Sequence, residues 1–470
     1  MSKKQTKPTM PSLSGLFCPI NSSSLRFPGA SMSSERGPTL WGQLVPSFIK
    51  PQLRVEVHIE KHQETKFYTS GSTISGCVTI IPQNELAIES VEISFTGTTT
   101  TTMVPLQEDI IQSKHVFLNL VMPEAGQALP KSSSLQGGQT CRIPFVFVVP
   151  HQLPTAACKY TGSTVVHQRH LQLPPTIGSW DYNDQAPHAV HIEYAVRAKV
   201  ITKTKNQQRL KTTEACRALK LLPSSLHPIP PDLALEEGRC RSSTQCILVR
   251  EGVLSPYIGN MMAALRKPNA LTLSLYDFEL PEAFITIDLG FSPTTEPARL
   301  PEIRVKSARI QAVTHYSRSH MNYLAGREKS PEATETAAMP YSVYTDVPLK
   351  SKDSVVWQLG KVGEKDKVGD GKKNNIKPTT LASGESPSNY TGILAFAVSV
   401  PRTSRKLFLP NFDSCLVSRT YCLQIVLITG TSGTTMTLYA PLEVVLDSTE
   451  GARSHHPPLY VSTRPELNLT

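Results

Sequence analysis

The stretch LRVEVHIEKHQETKFYTSGSTISGCVTII, residues 53–81, decides the fold class of this chain. Its first seven residues alternate strictly between apolar and polar side chains, and the apolar ones are Leu53, Val55, Val57 and Ile59. Such alternation is typical of a half-buried β-strand, because successive side chains point to opposite faces of a sheet. A polar link, a turn around Gly71 and a new apolar run after Gly76 follow. The stretch therefore predicts two consecutive strands joined by a turn.

Further strand signals continue as far as residue 222, with turn residues between them. They are CRIPFVFVVPHQLP at 141–154, HIEYAVRAKV at 191–200, and shorter runs at 74–81, 91–96, 116–122 and 216–222. Roughly seven to eight strands in this length fit one β-sandwich. Residues 155–190 lack a clear alternation and are predicted to form a long loop.

The order of these blocks resembles the N-terminal domain of arrestin-like proteins. In that family a strand precedes a Y-x-x-G-x-x-(I/V)-x-G-x-V segment, which residues 68–78 match. A P-F-x-F-x-(L/V)-P-x-x-L-P segment and an (I/V)-x-Y-x-(L/V)-x-A-x-V strand come next, as they do here. The LPPTIG segment at 173–178 is similar to one that recurs in the arrestin-like proteins of fungi.

A second series of strand signals resembles the arrestin C-terminal domain. The signals lie at 246–254, 271–276, 284–291, 302–313, 391–400, 421–428 and 436–446. In the stretch 300–317, the residues predicted to face the core are Ile303, Val305, Ile310 and Val313. The family pattern P-x-F-x-S-C-x-(I/V/L)-x-R-x-Y-x-L-x-(I/V) is matched by Pro410, Phe412, Ser414, Cys415, Arg419, Tyr421, Leu423 and Ile425.

The resemblance implies an all-β protein with two arrestin-like, immunoglobulin-like β-sandwich domains. We place them at 51–222 and 246–446, joined by a Pro-rich linker at 223–245. Composition predicts disordered segments at 1–50, which is rich in Ser, Pro and Lys, and at 320–390, an insertion with a Lys-rich centre. A polar C-terminal tail follows at 447–470.

Composition and motifs argue against several functions. The chain has 470 residues, a formal net charge of +10 and a pI near 9.1, a balance that permits peripheral contact with anionic membranes or phosphorylated tails. It has no nucleic-acid-binding motif and none of the common enzyme signatures, so we predict no nucleic-acid partner, catalytic residue, cofactor or metal site. The nine cysteines lack a Cys-x-x-Cys pair, and the start MSKKQTKPTM has no apolar run behind it. These features predict free thiols in the cytoplasm.

The tail contains the Pro-Pro-x-Tyr motif Pro457, Pro458, Leu459, Tyr460. Two prolines favour a polyproline-II conformation, which docks on the aromatic groove of a WW domain while the tyrosine fills a neighbouring pocket. With 38 Pro and 14 Tyr, a random chain of this length would contain the pattern roughly 0.09 times. We therefore predict that Pro457, Pro458 and Tyr460 bind WW domains.

Lysine and arginine residues form two further candidate sets. Arg197, Lys199, Lys203 and Lys205 lie towards the end of the first domain and are candidates for phosphate or lipid contact. The alternative for these residues is a solvated strand face. Within the insertion, the candidates for ubiquitylation are Lys361, Lys365, Lys367, Lys372, Lys373 and Lys377.

The function implied by the resemblance is that of an α-arrestin, an arrestin-related trafficking adaptor. Such a protein would link the cytoplasmic tail of a transporter or receptor to a WW-domain, HECT-type ubiquitin ligase, leading to ubiquitylation and endocytosis. It would be cytoplasmic, with recruitment to the plasma membrane or endosomes. The alternatives are a retromer-subunit-like sorting protein, and a lipid-binding or enzymatic β-sandwich.

Overall fold

A computed structural model describes most of the chain. It covers residues 52–446 except 104–109, 124–133, 205–206, 224–242, 251, 253–254, 274–281, 295–298, 325–337, 350–354, 360–388, 401–404 and 430–432. Over these residues the secondary structure consists mainly of β-strands, which confirms the all-β class. None of the helical residues described forms a segment long and apolar enough to cross a membrane.

The strands described in the first half of the chain form two sheets. The smaller sheet is antiparallel and has the order β1 (Leu53–Ile59), β3 (Thr73–Pro82), β7 (Cys141–Val148). The larger sheet has the order β2 (Phe67–Tyr68), β9 (Gln207–Leu221), β8 (Val190–Thr204), β4 (Leu86–Met103), β5 (Ile111–Val121). A short strand β6 (Ser134–Leu135) pairs with β4, and β2 runs parallel to its neighbour β9.

The strands described in the second half of the chain form two larger sheets and a two-stranded one. The first has the order β10 (Thr244–Arg250), β11 (Tyr257–Leu265), β13 (Glu282–Pro293), β17 (Tyr390–Ser399), β16 (Val356–Leu359). The second has the order β15 (Met339–Val347), β14 (Ile303–Tyr316), β19 (Val417–Thr429), β18 (Phe412–Asp413), and β20 (Thr434–Leu442) also pairs with β19. Strands β12 (Leu271–Leu273) and β21 (Val444–Leu446) pair in parallel.

The apolar positions of the alternating strands meet in two hydrophobic clusters. The first cluster lies between the two sheets of the first half, where the rings of Phe95 of β4 and Phe147 of β7 have centroids 6.0 Å apart. The second cluster joins the sheets of the second half, where Ile287 of β13 and Leu423 and Ile425 of β19 are fully buried. Each half of the chain therefore buries its apolar strand faces between sheets.

The first cluster also takes residues from the C-terminal half. Leu409, Phe412, Leu416 and Val417 are buried in it, and they come from β18, the start of β19 and the segments beside them. The core of the first pair of sheets is therefore not confined to residues 51–222. Residues 224–242 of the predicted linker, and the tails 1–50 and 447–470, lie outside the described residues.

Residues 155–190 contain helical structure that the sequence did not predict. A 3-10 turn at Thr155–Ala157 precedes helix α1 (Thr164–His170). The Ser163 hydroxyl caps this helix by accepting a hydrogen bond from the Val166 amide. Helix α1 has only seven residues, which is too short for a helical period to stand out from an apolar run. The prediction of a plain loop was wrong at this place.

The predicted insertion 320–390 was also too wide. Strands β15 and β16 lie inside it, and they extend the sheets of the second half by pairing with β14 and β17. Most side chains of β15 are exposed, so its sequence lacks the apolar alternation that reveals a half-buried strand. Residues 360–388, which hold the Lys-rich centre, lie outside the described residues.

One of the four residues predicted to face the core in strand β14 does not do so. Ile303 and Ile310 are buried as predicted, and Val305 packs against the second cluster. Val313 is only partly buried, because the strand buries Ala312 and Thr314 on the core-facing side instead. The pairing of β14 with β19 shifts register between Val305 and Ser307, and such an irregularity changes which residues face the core.

Candidate functional site

The basic residues of β8 lie on the outward face of the larger sheet of the first half. Lys199 is exposed and Arg197 is half-buried, while Ala198 between them is buried. The Arg197 guanidinium donates to the Thr96 hydroxyl at 3.1 Å and pairs with the Glu193 carboxylate at 3.3 Å. Arg197 is therefore already engaged within its own sheet.

This face forms a concave surface of about 370 Å³ with mixed charge. Lys114, Arg197 and Lys199 line it, but so do Glu92 and Glu214, which lie directly beside Lys199 in the strand register. The two carboxylates offset most of the positive charge. An anion would gain little from this surface, because the carboxylates repel it at close range.

The remaining predicted residues are separate from this surface or outside the described part. Lys203 is exposed near the end of β8, and Lys205 is not described. The Pro-Pro-x-Tyr motif and all six candidate ubiquitylation lysines also lie outside the described residues.

The family-like segment 410–425 makes a dense set of buried polar contacts. The Ser414 hydroxyl donates to the Val417 carbonyl at 2.8 Å and accepts from the Val417 amide, which closes the turn between β18 and β19. The Tyr421 hydroxyl donates to the Leu409 carbonyl at 2.8 Å and accepts from the Leu409 amide at 3.1 Å. These side chains hold the segment 409–417 against the strand that follows it.

Arg419 links this segment to the 155–190 connection. Its side chain is fully buried, and its guanidinium donates to the Thr314 hydroxyl at 2.9 Å and to the Asp184 carbonyl at 3.0 Å. Backbone hydrogen bonds between Asn183 and residues 405 and 407 lie nearby, at 3.0 Å and 2.8 Å. The 155–190 connection is thus bonded directly to the C-terminal half.

A buried group of sulfur and nitrogen donors lies at the same junction. Cys158 follows the 3-10 turn, His170 ends α1, and Cys415 lies between β18 and β19. One donor atom from each residue lies within 4.8 Å of the other two, and all three residues are buried. Cys158 Sγ and His170 Nδ1 are 3.5 Å apart, while His170 Nε2 is buried and has no hydrogen-bond partner among the described residues. We call these three residues the cysteine–histidine cluster.

Burial disfavours the charged forms of two members of this group, His170 and Cys415. It lowers the pKa of His170 to about 4, although the nearby Asp413 carboxylate acts in the opposite direction. Burial also raises the pKa of the Cys415 thiol, and the neighbouring Cys158 adds to this effect. His115 and His320 lie edge to face nearby, with ring centroids 4.7 Å apart, and burial lowers the pKa of His115 to about 4.

The cysteine prediction holds for most of the described thiols. Those that are free are Cys77, Cys141, Cys158, Cys216, Cys246 and Cys415. Cys422 is disulfide-bonded, which corrects the prediction for that residue.

No local sequence pattern reveals the cysteine–histidine cluster, because its members are far apart in the chain. Eleven residues separate Cys158 from His170, and Cys415 lies in the other half of the sequence. Zinc motifs recognised from sequence have much closer ligand pairs. A local pattern therefore gave no signal for this group.

Comparison with protein-family models finds no matching family, and comparison with curated proteins finds no match either. The resemblance to arrestin-like proteins accordingly rests on the residues quoted above.

Proposed function

We propose that this chain is an arrestin-like adaptor that links membrane cargo to a WW-domain, HECT-type ubiquitin ligase. The cargo would be the cytoplasmic tail of a transporter or receptor, and ubiquitylation and endocytosis would follow. Binding both partners at once raises the effective concentration of the ligase at the cargo lysines. Two arrestin-like sandwiches would form the cargo-binding body.

The observation that carries this proposal is the Pro-Pro-x-Tyr motif in the tail. Ten residues separate the end of β21 at Leu446 from Pro457. A short peptide motif needs no fold of its own to bind a WW domain, since the two prolines favour the bound conformation in advance. Its position after the last described strand would allow a ligase to bind without disturbing either hydrophobic cluster.

The buried contacts of the family-like segment support the arrestin-like part of the proposal. Ser414, Arg419 and Tyr421 match the family pattern, and each makes hydrogen bonds that position neighbouring segments. A chance match to the pattern would not require these side chains to be buried and bonded. The segment therefore has a structural reason for the residue types that produce the resemblance.

The outward face of β8 gives weaker support for phosphate or lipid recognition. Glu92 and Glu214 reduce its positive charge, and Arg197 is paired with Glu193. The charged lining also offers little to the lipid-binding alternative, which requires an apolar pocket. Contact with an anionic membrane remains a proposal for Lys199 and Lys203, both of which are exposed.

The adaptor proposal is tested by binding of the full chain to isolated WW domains. We expect micromolar affinity, and we expect Tyr460→Ala to weaken it about thirtyfold, a loss of about 2 kcal/mol. Leu459→Ala is the matched control and should have a much smaller effect, because the residue between Pro458 and Tyr460 points away from the groove.

Equal losses in the two variants would refute the role of the motif. The retromer-like alternative makes a different prediction, namely that Tyr460→Ala leaves the protein's partners unchanged.

A further inference from the structure

We propose that Cys158, His170 and Cys415 bind one zinc ion at the junction between the 155–190 connection and the β18–β19 turn. This site is independent of the adaptor proposal, because it uses no residue of the tail. It would attach two segments that are distant in sequence. Its role would be structural, since all three side chains are buried.

The spacing of the donor atoms fits a tetrahedral zinc ion. Zinc–sulfur and zinc–nitrogen bonds are about 2.3 Å and about 2.0–2.1 Å long, so adjacent sulfur and nitrogen ligands lie about 3.6 Å apart. The distance from Cys158 Sγ to His170 Nδ1 is 3.5 Å. All three donors lie within 4.8 Å of one another, so only small side-chain movements are needed to close the site.

The donor chemistry also favours zinc. Thiolate and imidazole ligands suit zinc, whereas magnesium and calcium prefer oxygen. Two thiolates balance the two positive charges of the ion, so the complete site has no net charge to bury. The three side chains occupy three of the four tetrahedral positions, and a closed structural site needs one further donor, either a buried water or another side chain.

The environment of His170 supports a ligand role over simple packing. Within the described part of the chain His170 Nε2 has no hydrogen-bond partner, so the polar contact of the ring is at Nδ1, the atom 3.5 Å from Cys158 Sγ that would ligate zinc. Asp413, two residues before Cys415, is buried beside α1, where Arg169 Nη1 lies 3.9 Å from its carboxylate. Asp413 is itself held by the Ser418 hydroxyl at 2.6 Å.

The first test measures zinc in the untagged full chain, purified with a thiol reductant and without chelators. We expect close to one zinc per chain by mass spectrometry of the metal. Cys158→Ser and Cys415→Ser should each reduce zinc retention about tenfold or more after dialysis, because each removes a thiolate ligand. Cys141→Ser is the matched control, because Cys141 is a buried free thiol outside the cluster, and it should retain the metal.

A second test uses only the wild-type chain, in case a cluster variant does not fold. Addition of a chelator should accelerate alkylation of Cys158 and Cys415 but leave Cys141 unchanged. Cobalt should replace zinc and produce a thiolate-to-cobalt charge-transfer band.

Three results would overturn the proposal. The first is the absence of both zinc and cobalt binding by the folded chain. The second is a Cys158–Cys415 disulfide as the stable form under reducing conditions. The third is zinc retention that is unchanged in both serine variants.

Discussion

Replacing Tyr421 with phenylalanine tests whether its hydroxyl holds the segment before β19 in place. Tyr421 is buried, and its hydroxyl serves both the amide and the carbonyl of Leu409. Phenylalanine keeps the ring and its stacking on Phe408, where the centroids are 5.8 Å apart. The change therefore removes the hydrogen bonds while leaving the packing almost intact.

The expected cost follows from the two backbone groups left behind. Leu409 is fully buried, so water cannot easily replace the lost partner. Each buried group without a partner costs about 1–3 kcal/mol, and we expect a total of about 2–4 kcal/mol. Opening of the segment around Leu409 should also become easier, and about 2 kcal/mol corresponds to roughly thirtyfold faster amide exchange.

Chemical denaturation followed by circular dichroism measures the loss of stability, and hydrogen exchange measured by mass spectrometry locates it. Tyr344→Phe is the matched control, because Tyr344 is 50% exposed on β15. The control should change stability by less than about 0.5 kcal/mol. Equal stabilities of the two variants, with unchanged exchange near Leu409, would contradict this role of the Tyr421 hydroxyl.

Two further changes should have measurable effects. Burial lowers the pKa of His115 from 6.5 to about 4, so the unfolded chain binds a proton that the folded chain excludes. The free energy of unfolding is therefore unaffected by His115 above a pH of about 6.5, and it should fall by roughly 2–3 kcal/mol on acidification to about pH 4. His115→Gln should reduce this fall in a pH series of denaturation curves. Gly76→Ala should cost about 2 kcal/mol or more, because its Cβ would collide with the His58 backbone carbonyl and lie 2.6 Å from the Phe145 ring. Gly290→Ala is the control, since its Cβ meets no atom nearer than 3.6 Å, and equal thermal stabilities of the two variants would contradict the prediction.

Strict alternation made several strands predictable from the sequence. In β7 the buried residues are Cys141, Ile143, Phe145 and Phe147, as the period of two requires. Strand β11 was missed because YIGNMMAAL contains glycine, asparagine and alanine, which have low β-propensity. It forms a strand because it is paired on both sides, by β10 and β13. Pairing with distant strands is information that a local pattern does not hold.

The two candidate sites also differ in whether a local sequence pattern can reveal them. The Pro-Pro-x-Tyr motif is continuous, so its residues could be recognised directly in the sequence. The cysteine–histidine cluster is assembled from a turn, a short helix and a loop that meet only in the folded chain. The position of Cys415 depends on the pairing of β18 with β19, because this pairing fixes the loop that contains Cys415.

The meeting of these segments in the folded chain also explains why the C-terminal half contributes residues to the first hydrophobic cluster. Leu409 and Val417 pack into that cluster, while Arg419, two residues after Val417, bonds the Asp184 carbonyl. Tyr421, two residues beyond Arg419, returns to the second cluster. One short segment therefore belongs to both cores and to the polar contact between them. A zinc ion at Cys415 would act on this segment, so its loss should loosen the junction before it affects the strands on either side.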